Sequence, residues 1–463
     1  MSDSERSGTG SYDLQQIVDT QKEFFASGKT IPVKFRCERL SALAAEVGRR
    51  ADDFLDALGA DLGKPRLEGY LSEIWYILAE TRHIAKSLPR WARPRRVATP
   101  FRDWPAWSEI RREPFGTAVI VAPWNYPAQL SLSPLIAAVA GGNCVVLKPS
   151  EHAPATAALL AEVVAAVFDP GHVTVVQGGA EVGKALLEQK FDSWFYTGSE
   201  KIGRLFGEAA AKNLAPAVLE LGGKCPAVVH EDVDLDLAAE RIVIAKFFNG
   251  GQTCVAPDFV LVPSSMRDAF VRKAQSQLIK QFGEEKTPDL ARIVNDHHYE
   301  RLQSLISEDA IKIGDDDPGE CYLAPRILPD AGWDDPAMQE EIFGPILPVI
   351  GYDDLEVALE KLKAHPDPLA LYVFSKDKNA LEHVAATVRS GTVCFNDAIK
   401  QVANLELPFG GVGRSGMGRY RGRFGYETFT FARSVMRRFL WKDMMRLEPP
   451  YGDMLDWVRK VMK

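Results

Sequence analysis

The chain has 463 residues, 46% of them hydrophobic and 25% charged, which is typical of a globular protein with two or three domains. Its formal net charge of -8 provides no overall attraction to nucleic acid or anionic lipid. Six cysteines are too few for a disulfide framework, and their wide spacing excludes a Cys-x-x-Cys metal or redox element.

The first 13 residues are polar and contain no signal-peptide core, so we expect a cytoplasmic protein. From about Phe35 to Pro89, apolar residues recur at helical spacing, which predicts a layer of helices. Residues 90–112 combine seven arginines with three tryptophans. Because prolines interrupt this segment and no nucleic-acid-binding module surrounds it, we interpret it as a linker or protruding hairpin that contacts a second subunit.

Short apolar strands alternate with helices from residue 117 onwards, which predicts a mainly parallel sheet and a nucleotide-binding domain. The most apolar stretch, residues 115–148, is broken by prolines and paired glycines. It therefore predicts strand, loop, helix and strand rather than a membrane span. The alternation resumes after Lys224 and predicts a second α/β domain. In that domain His297 and His298 adjoin, but they lack the carboxylate-rich spacing of ligands, and we expect no metal site.

Residues 247–259, FFNGGQTCVAPDF, place a single cysteine, Cys254, behind a glycine pair. Glycine permits close approach to the main chain, so Gly250 and Gly251 predict clearance for a ligand beside a reactive thiol. Cys254 has a second interpretation as a buried small apolar residue at a turn, which is the commoner fate of a free cysteine. These residues alone do not decide between the two.

Two motifs at predicted strand ends suit a nucleotide. In YTGSEKIG, Gly198 and Ser199 open a helix whose free amide groups and dipole can receive a pyrophosphate, and an ordinary N-cap by Ser199 is the alternative. In LKPSE, Lys148 and Glu151 can hydrogen-bond the two hydroxyls of an adenosine ribose, and the carboxylate disfavours the 2′-phosphate of NADP. The alternative for this pair is a surface salt bridge.

Two further motifs supply polar groups for catalysis. VLELGGK places Glu220 at the end of an apolar strand, where a carboxylate with a raised pKa can act as a general base; a capping or salt-bridged glutamate is the alternative. PWNYP holds Asn125 in a rigid bend that can aim its amide at an oxyanion, unless it is simply a turn asparagine. The Gly-x-Gly-x-x-Gly match at residues 411–416 lacks the flanking strand and helix of a dinucleotide fingerprint. Together, a nucleophile, a base, an oxyanion donor and nucleotide motifs predict a thiol-dependent oxidoreductase.

From about Phe35 to Arg433 the chain resembles the aldehyde dehydrogenase superfamily, through APWNYP, LKPSE, YTGSEKIG, LELGGK, GGQTCVAPD, EEIFGP and LPFGGVGRSGMGRYRG in the family order. GQTCVAPD and SGMGRYRG look most like the class 3 branch of medium-chain, aromatic and fatty aldehyde dehydrogenases. The resemblance implies an α/β fold with a Rossmann-like cofactor domain, a second α/β catalytic domain and a small oligomerisation element, assembled as a homodimer. The expected boundaries are residues 1–100 with 113–219, residues 220–396, and residues 101–112 with 397–463, respectively.

The implied reaction is the NAD(P)-dependent oxidation of an aliphatic or aromatic aldehyde to a carboxylic acid. Cys254 would be the nucleophile, Glu220 the general base and Asn125 the oxyanion donor, with thiohemiacetal and thioester intermediates. Glu220 favours hydrolysis, because branches that transfer the acyl group to coenzyme A lack a glutamate there. The cofactor would be NAD, with NADP as the alternative. Seven residues would contact it: Trp124, Lys148, Glu151, Gly198, Ser199, Glu341 and Phe343.

The carboxyl-terminal tail, residues 431–463, has eight Lys/Arg and four Asp/Glu, a net charge of +4. Its segments FLWKDMM and MLDWVRKVM predict amphipathic helices that are too short to span a bilayer. We interpret the tail as packing across a dimer, with peripheral membrane contact as the alternative, and Cys225 as a packing residue. Two other functions stay open on the sequence: a non-catalytic binding protein that keeps the fold, and a thiol esterase.

Overall fold

The computed structural model describes residues 12–440 and 449–461, so the polar residues 1–11 and most of the predicted FLWKDMM helix lie outside the described residues. The helices are α1 (Leu14–Ala26), α2 (Val33–Arg49), α3 (Ala51–Leu62), α4 (Arg66–Gly69), α5 (Tyr76–Trp91), α6 (Gln129–Gly141), α7 (Pro154–Val167), α8 (Ala180–Leu187), α9 (Glu200–Lys212), α10 (Leu235–Phe247), α11 (Ser264–Phe282), α12 (Asp296–Gln303), α13 (Pro336–Gln339), α14 (Leu355–Ala364), α15 (Lys378–Thr387), α16 (Gly422–Thr428) and α17 (Met454–Val461). The strands are β1 (Arg95–Val97), β2 (Ala106–Pro114), β3 (Thr117–Val121), β4 (Cys144–Lys148), β5 (Val173–Val175), β6 (Ser193–Thr197), β7 (Ala217–Glu220), β8 (Pro226–Val229), β9 (Phe259–Pro263), β10 (Ile311–Lys312), β11 (Arg326–Leu328), β12 (Ile346–Tyr352), β13 (Ala370–Phe374), β14 (Thr392–Phe395), β15 (Gly416–Met417) and β16 (Thr430–Arg438).

Helices α2 to α5 form the helical layer that the apolar spacing predicts, and they pack on α6 and α7. Apolar side chains such as Leu40, Leu58 and Ile77 are fully buried between these helices. Helix α3 ends at Leu62 and is capped by Gly63, whose φ of 57° is a left-handed conformation that glycine adopts without a steric penalty. Between α4 and α5 the chain passes through one π-helical turn, Tyr70–Trp75.

The first α/β unit contains a six-stranded sheet in the order β15-β7-β6-β3-β4-β5. Every strand except the antiparallel β15 is parallel to its neighbours, which confirms the predicted parallel sheet. Val121 pairs with both Lys148 and Tyr196, and Thr197 pairs with Glu220, so the strands end level with one another. The motifs that follow β4, β6 and β7 therefore lie along one edge of the sheet.

The second α/β unit contains a seven-stranded sheet in the order β10-β11-β12-β9-β8-β13-β14. Its strands are parallel except for β10, and β9, β12 and β13 are almost wholly buried. Strands covered on both faces by helices read as continuous apolar runs, which is why this second unit was recognisable in the sequence.

A separate antiparallel sheet, β1-β2-β16, joins the predicted hairpin region to the tail, with Thr430 paired to Pro114 and Arg438 to Ala106. The domain boundaries stay predictions. Within the part of the chain that the structure describes, no helix is both long and apolar enough to cross a bilayer.

Candidate active site

The cysteine loop, residues 248–258, leads from α10 to β9. It begins with a tight turn in which Asn249 and Gly250 have φ values of 56° and 61°. A Cβ at Gly250 would lie 2.7 Å from the Ala291 carbonyl oxygen, and a Cβ at Gly251 would overlap the Gly344 carbonyl. The space beside these two glycines is filled by the main chain of Ala291 and Gly344. We expected a ligand there, and the structure shows a packing role instead.

Cys254 is half-buried on this loop and carries a free thiol. Burial, and after it the nearby carboxyl groups of Glu341 and Glu220, raise its pKa to about 12 against a smaller opposing effect of Arg421. The sulfur is therefore a protonated thiol at neutral pH and needs a base before it can attack a carbonyl carbon.

Glu220 ends β7 and is 2% exposed. Neither of its carboxylate oxygens has a hydrogen-bond partner among the described residues. Burial raises the pKa of Glu220 well above its ordinary value, and Arg421 and Arg419 oppose this only in part. A buried carboxyl group with free lone pairs next to a thiol has the properties of a general base.

Asn125 is buried in the bend before α6, and it reaches the cysteine loop directly. Its Nδ2 donates to the Gln252 carbonyl oxygen at 3.0 Å. An amide group has two N–H bonds, so one remains to donate to a ligand oxygen. Its main-chain carbonyl accepts hydrogen bonds from Lys64 at 2.9 Å and from Asn249 at 3.0 Å.

Lys148 and Glu151 form an ion pair of 2.9 Å at the end of β4, with Lys148 buried and Glu151 exposed. Partial burial raises the pKa of Glu151, but the Lys148 ammonium and a main-chain hydrogen bond together outweigh it, and the net result is a lowered pKa. The pair is a preformed cation and anion side by side, which suits the two hydroxyls of a ribose.

Gly198 and Ser199 connect β6 to α9, the 13-residue helix that begins at Glu200. The Ser199 side chain does not cap the helix, so the N–H groups of the first turn are available to an anion. A Cβ at Gly198 would overlap the Tyr196 hydroxyl, which explains the glycine.

Glu341 lies against the turn that follows Glu220, and a Cβ at Gly222 would overlap its carboxylate. Burial and the neighbouring Asp258 raise the pKa of Glu341 to about 8, although it accepts a hydrogen bond from the Gly223 N–H. Phe343 has a left-handed φ of 52°, and its ring meets the Trp124 ring edge-on with centroids 5.4 Å apart.

Two residues of α12 that the sequence analysis did not predict contact Trp124 and the segment of Glu341 to Phe343. His298 lies 5.5 Å from the Trp124 ring, and burial lowers its pKa to about 4, so it is a neutral imidazole. Arg301 donates to the carbonyl oxygens of Glu341, at 3.4 Å, and Ile342, at 2.6 Å, and so clamps the segment that carries Phe343. The sequence analysis considered the adjoining histidines only as metal ligands, and rejected them, because no local pattern places His298 beside Trp124.

Other sequence features have structural roles. The Cys225 thiol is fully buried and accepts a hydrogen bond from Ala370 N–H at 3.2 Å, which agrees with packing. The residues 411–416 lead into β15, not into a strand–helix nucleotide loop. Among the described residues, no group of three or more His, Cys, Asp or Glu side chains could hold a metal.

The model of the aldehyde dehydrogenase family matches residues 6–435. The chain belongs to the aldehyde dehydrogenase family. It is 40% identical over 460 residues to the 4,4′-diaponeurosporen-aldehyde dehydrogenase of Staphylococcus aureus, with 97% of this chain and 99% of that protein covered. It is 41% identical to aldehyde dehydrogenase family 3 member B3 of Mus musculus, over 93% of this chain and 91% of that one. It is 40% identical to the dimeric NADP-preferring aldehyde dehydrogenase of Rattus norvegicus, over 92% and 96%.

Solved structures agree with this assignment to the family. The substrate-bound state of Staphylococcus aureus AldH superimposes with a TM-score of 0.95 at 38% identity, over 98% of this chain and all of that chain. An indole-3-acetaldehyde dehydrogenase complexed with NAD+ superimposes with a TM-score of 0.83 at 27% identity, over 92% and 89%. The predicted fold and the predicted NAD(P)-dependent oxidation of an aldehyde are therefore confirmed for this aldehyde dehydrogenase.

Proposed function

We propose that Cys254, Glu220 and Asn125 carry out the aldehyde oxidation, with hydrolysis to a carboxylic acid. The observation that supports this most is that three groups lie near one another: a half-buried thiol, a buried carboxyl group whose oxygens have no hydrogen-bond partner among the described residues, and an amide hydrogen-bonded to the cysteine loop. The three groups come from positions 125, 220 and 254, on three different strand ends or bends.

In the proposed first step, the Cys254 thiol releases its proton to solvent water. The sulfur then bonds to the aldehyde carbon, and the π electrons of the carbonyl group move onto its oxygen. The free N–H of Asn125 and the Cys254 backbone N–H then donate to the oxygen that gains the negative charge of the thiohemiacetal. When bound, NAD(P) supplies the hydride acceptor for this chemistry. The acyl group stays on Cys254 as a thioester.

Hydrolysis of the thioester is assigned to Glu220. Its carboxylate takes a proton from water, the water oxygen bonds to the acyl carbon, and the carbon–sulfur bond breaks to release the acid. Because no donor among the described residues hydrogen-bonds to either carboxylate oxygen, Glu220 is free to hold that water.

The residues that would hold NAD(P) fit that cofactor chemically. Lys148 and Glu151 would bind the adenosine ribose, and the open first turn of α9 at Gly198 and Ser199 would receive the pyrophosphate. Three further residues would border the nicotinamide and its ribose: Glu341, Phe343 and Trp124. Glu151 would repel a 2′-phosphate, so we propose NAD as the preferred cofactor and NADP as the second.

For the substrate we propose an apolar aldehyde, aliphatic or aromatic. The support is the relative named for 4,4′-diaponeurosporen-aldehyde, together with the family 3 relatives.

We also propose a homodimer in a reducing, cytoplasmic compartment. A relative of this chain is named as dimeric, and all six cysteines are free thiols. The β1-β2-β16 sheet exposes apolar side chains, among them Trp107, Phe431 and Met436, which suits the predicted subunit contact. Peripheral membrane contact is the second proposal for the tail, supported by exposed Leu455 and Trp457 beside basic residues on α17.

The test is NADH and NADPH formation with a panel of aliphatic aldehydes of increasing chain length and of aromatic aldehydes. We expect turnover with apolar members of the panel and a higher kcat/KM with NAD. The Cys254→Ala variant should lose turnover, whereas Cys144→Ala, which removes a buried thiol from β4, should retain it. Turnover by Cys254→Ala would contradict the assigned nucleophile, and ester cleavage without any aldehyde oxidation would favour the thiol esterase.

A further inference from the structure

Beneath Asn125 lies an ion pair that the proposed reaction does not use. The side chains of Lys64 and Glu73 are both 0% exposed, and Lys64 Nζ donates to Glu73 Oε1 at 2.5 Å. Lys64 also donates to the Asn125 carbonyl oxygen at 2.9 Å. Its ammonium lies 4.2 Å from the centroid of the Tyr126 ring, whose hydroxyl hydrogen-bonds the Thr253 side chain at 2.6 Å.

Glu73 supplies the helix cap that α6 lacks. The N-cap position of α6 is Ala128, which has no side-chain acceptor. Instead, Glu73 Oε2 accepts hydrogen bonds from the N–H groups of Ala128, at 2.8 Å, and Gln129, at 3.1 Å. Glu73 sits in the π-helical turn between α4 and α5, and such turns are frequent at functional sites.

The bend at residues 123–127 is thus held by one buried pair, at its middle and directly after its last residue. Lys64 holds the Asn125 carbonyl, and Glu73 holds the first N–H groups of α6. Rotation of the Asn125 carbonyl away from Lys64 would turn the peptide plane and move the Asn125 side chain, whose amide now donates to Gln252. An amide that stabilises a transition state must be held to a fraction of an ångström, since a misplacement of about 1 Å costs roughly 100-fold in rate.

We propose that Lys64 and Glu73 are positioning residues that hold the Asn125 amide at the oxyanion site. This inference rests on the proposed role of Asn125 as oxyanion donor. Neither residue contacts the reacting atoms. They act through the main chain of the bend and not through the cofactor site, because among the described residues their side chains hydrogen-bond to each other, to the Asn125 carbonyl and to the first N–H groups of α6.

A useful variant must remove the ion pair and still fold. Removal of one partner from a buried ion pair leaves an unpaired charge and destabilises the fold, whereas replacement of both partners is often tolerated. The pair variant is therefore Lys64→Met with Glu73→Gln, in which the glutamine carbonyl can still accept from α6. The matched control is Arg326→Met with Asp316→Asn, another largely buried pair whose carboxylate also accepts a backbone N–H, from Ala324.

The test is a double-mutant cycle on kcat and KM, with active sites counted by alkylation of the Cys254 thiol. We expect the pair variant to lower kcat roughly 10-fold and Asn125→Ala roughly 100-fold, with the KM values for aldehyde and NAD within about two-fold of wild type. If the pair acts through Asn125, the combined variant should be no slower than Asn125→Ala alone. The control variant should keep the wild-type kcat per active site.

Three results would overturn the inference. One is a folded pair variant with the wild-type kcat, and another is a combined variant in which the two effects multiply. The third is an equal loss of kcat in the control, because that loss would reflect general destabilisation. Failure of Asn125→Ala to lower kcat is a distinct result, since it would remove the proposed oxyanion donor itself and the inference with it.

Discussion

Burial and two neighbouring carboxyl groups, those of Glu341 and Glu220, all favour the protonated thiol of Cys254. They raise the pKa of the thiol to about 12, so the thiolate is a small fraction of the enzyme at neutral pH. The alkylation rate of Cys254 by iodoacetamide, without cofactor, should then rise about tenfold per pH unit between pH 7 and 9. Mass spectrometry of the modified peptide gives this rate, and a plateau below pH 9 would contradict the high pKa.

Glu220 contributes to that raised pKa through its charge, so its substitution should have the opposite effect. Glu220→Gln is expected to speed alkylation of Cys254 at each pH at which the wild-type carboxyl group is ionised. Glu308→Gln removes an exposed carboxylate elsewhere and serves as the control. A slower alkylation in Glu220→Gln would mean that the carboxylate activates the thiol directly, as its base.

The same residue separates acylation from hydrolysis. If Glu220 activates the hydrolytic water, Glu220→Gln should keep a first-turnover burst of NADH while steady turnover slows by roughly 100-fold. Stopped-flow absorbance at NADH wavelengths measures both phases. Equal loss of burst and steady rate would contradict this division of roles.

At the scale of elements, the turn after β7 connects Glu220, the proposed base, to the position of Glu341, which we propose borders the nicotinamide ribose. Gly222 has no space for a Cβ, because the Glu341 carboxylate occupies it. Gly222→Ala should therefore displace Glu341 and raise the KM for NAD roughly tenfold, with the aldehyde KM little changed. Gly183→Ala in α8, where nothing lies within 4 Å of the added Cβ, is the matched control. An unchanged NAD KM in Gly222→Ala would contradict the role of Glu341.

The elements also show which parts of the site were accessible from sequence. Glu220 and Lys148 end strands of a parallel sheet, so the alternation of strands and helices placed them on one edge. Lys64 and Glu73 belong to a helical layer, and their partners lie some 50 to 60 residues along the chain. No local pattern distinguishes such a buried pair from a surface pair, and the fit of Gly251 against Gly344 depends equally on tertiary packing.

At the scale of the whole molecule, several buried carboxyl groups in and around the candidate site have raised pKa values. Burial raises the pKa of Glu68 to about 7 and of Glu341 to about 8, and it raises those of Glu80 and Glu220 as well. In the unfolded chain these groups ionise near pH 4.5, so each contributes stability that is complete below that pH and lost as the pH rises through the folded pKa. The raised pKa values therefore lower the free energy of unfolding at neutral pH, and in return the folded protein has carboxyl groups that can accept or donate a proton near that pH.

A substitution at Glu68 allows this loss of stability with rising pH to be measured without a change to Cys254, Glu220 or Asn125. Its carboxylate accepts a hydrogen bond from Asn249 N–H at 3.0 Å, at the start of the cysteine loop, and glutamine can keep that bond. Between pH 4.5 and 7 the unfolded wild-type chain releases the Glu68 proton while the folded chain keeps it, so the free energy of unfolding of wild type falls. Glu68→Gln has no such proton, so its free energy of unfolding lacks this pH dependence. The thermal midpoint of Glu68→Gln relative to wild type should therefore rise between pH 5 and 8, by the equivalent of up to about 3 kcal/mol.

Glu46→Gln is the control, because the Arg49 side chain lowers the pKa of Glu46 and this carboxyl group is ionised in both states across the window. A midpoint difference for Glu68→Gln that stays constant from pH 5 to 8 would show that Glu68 titrates alike in the folded and unfolded chain.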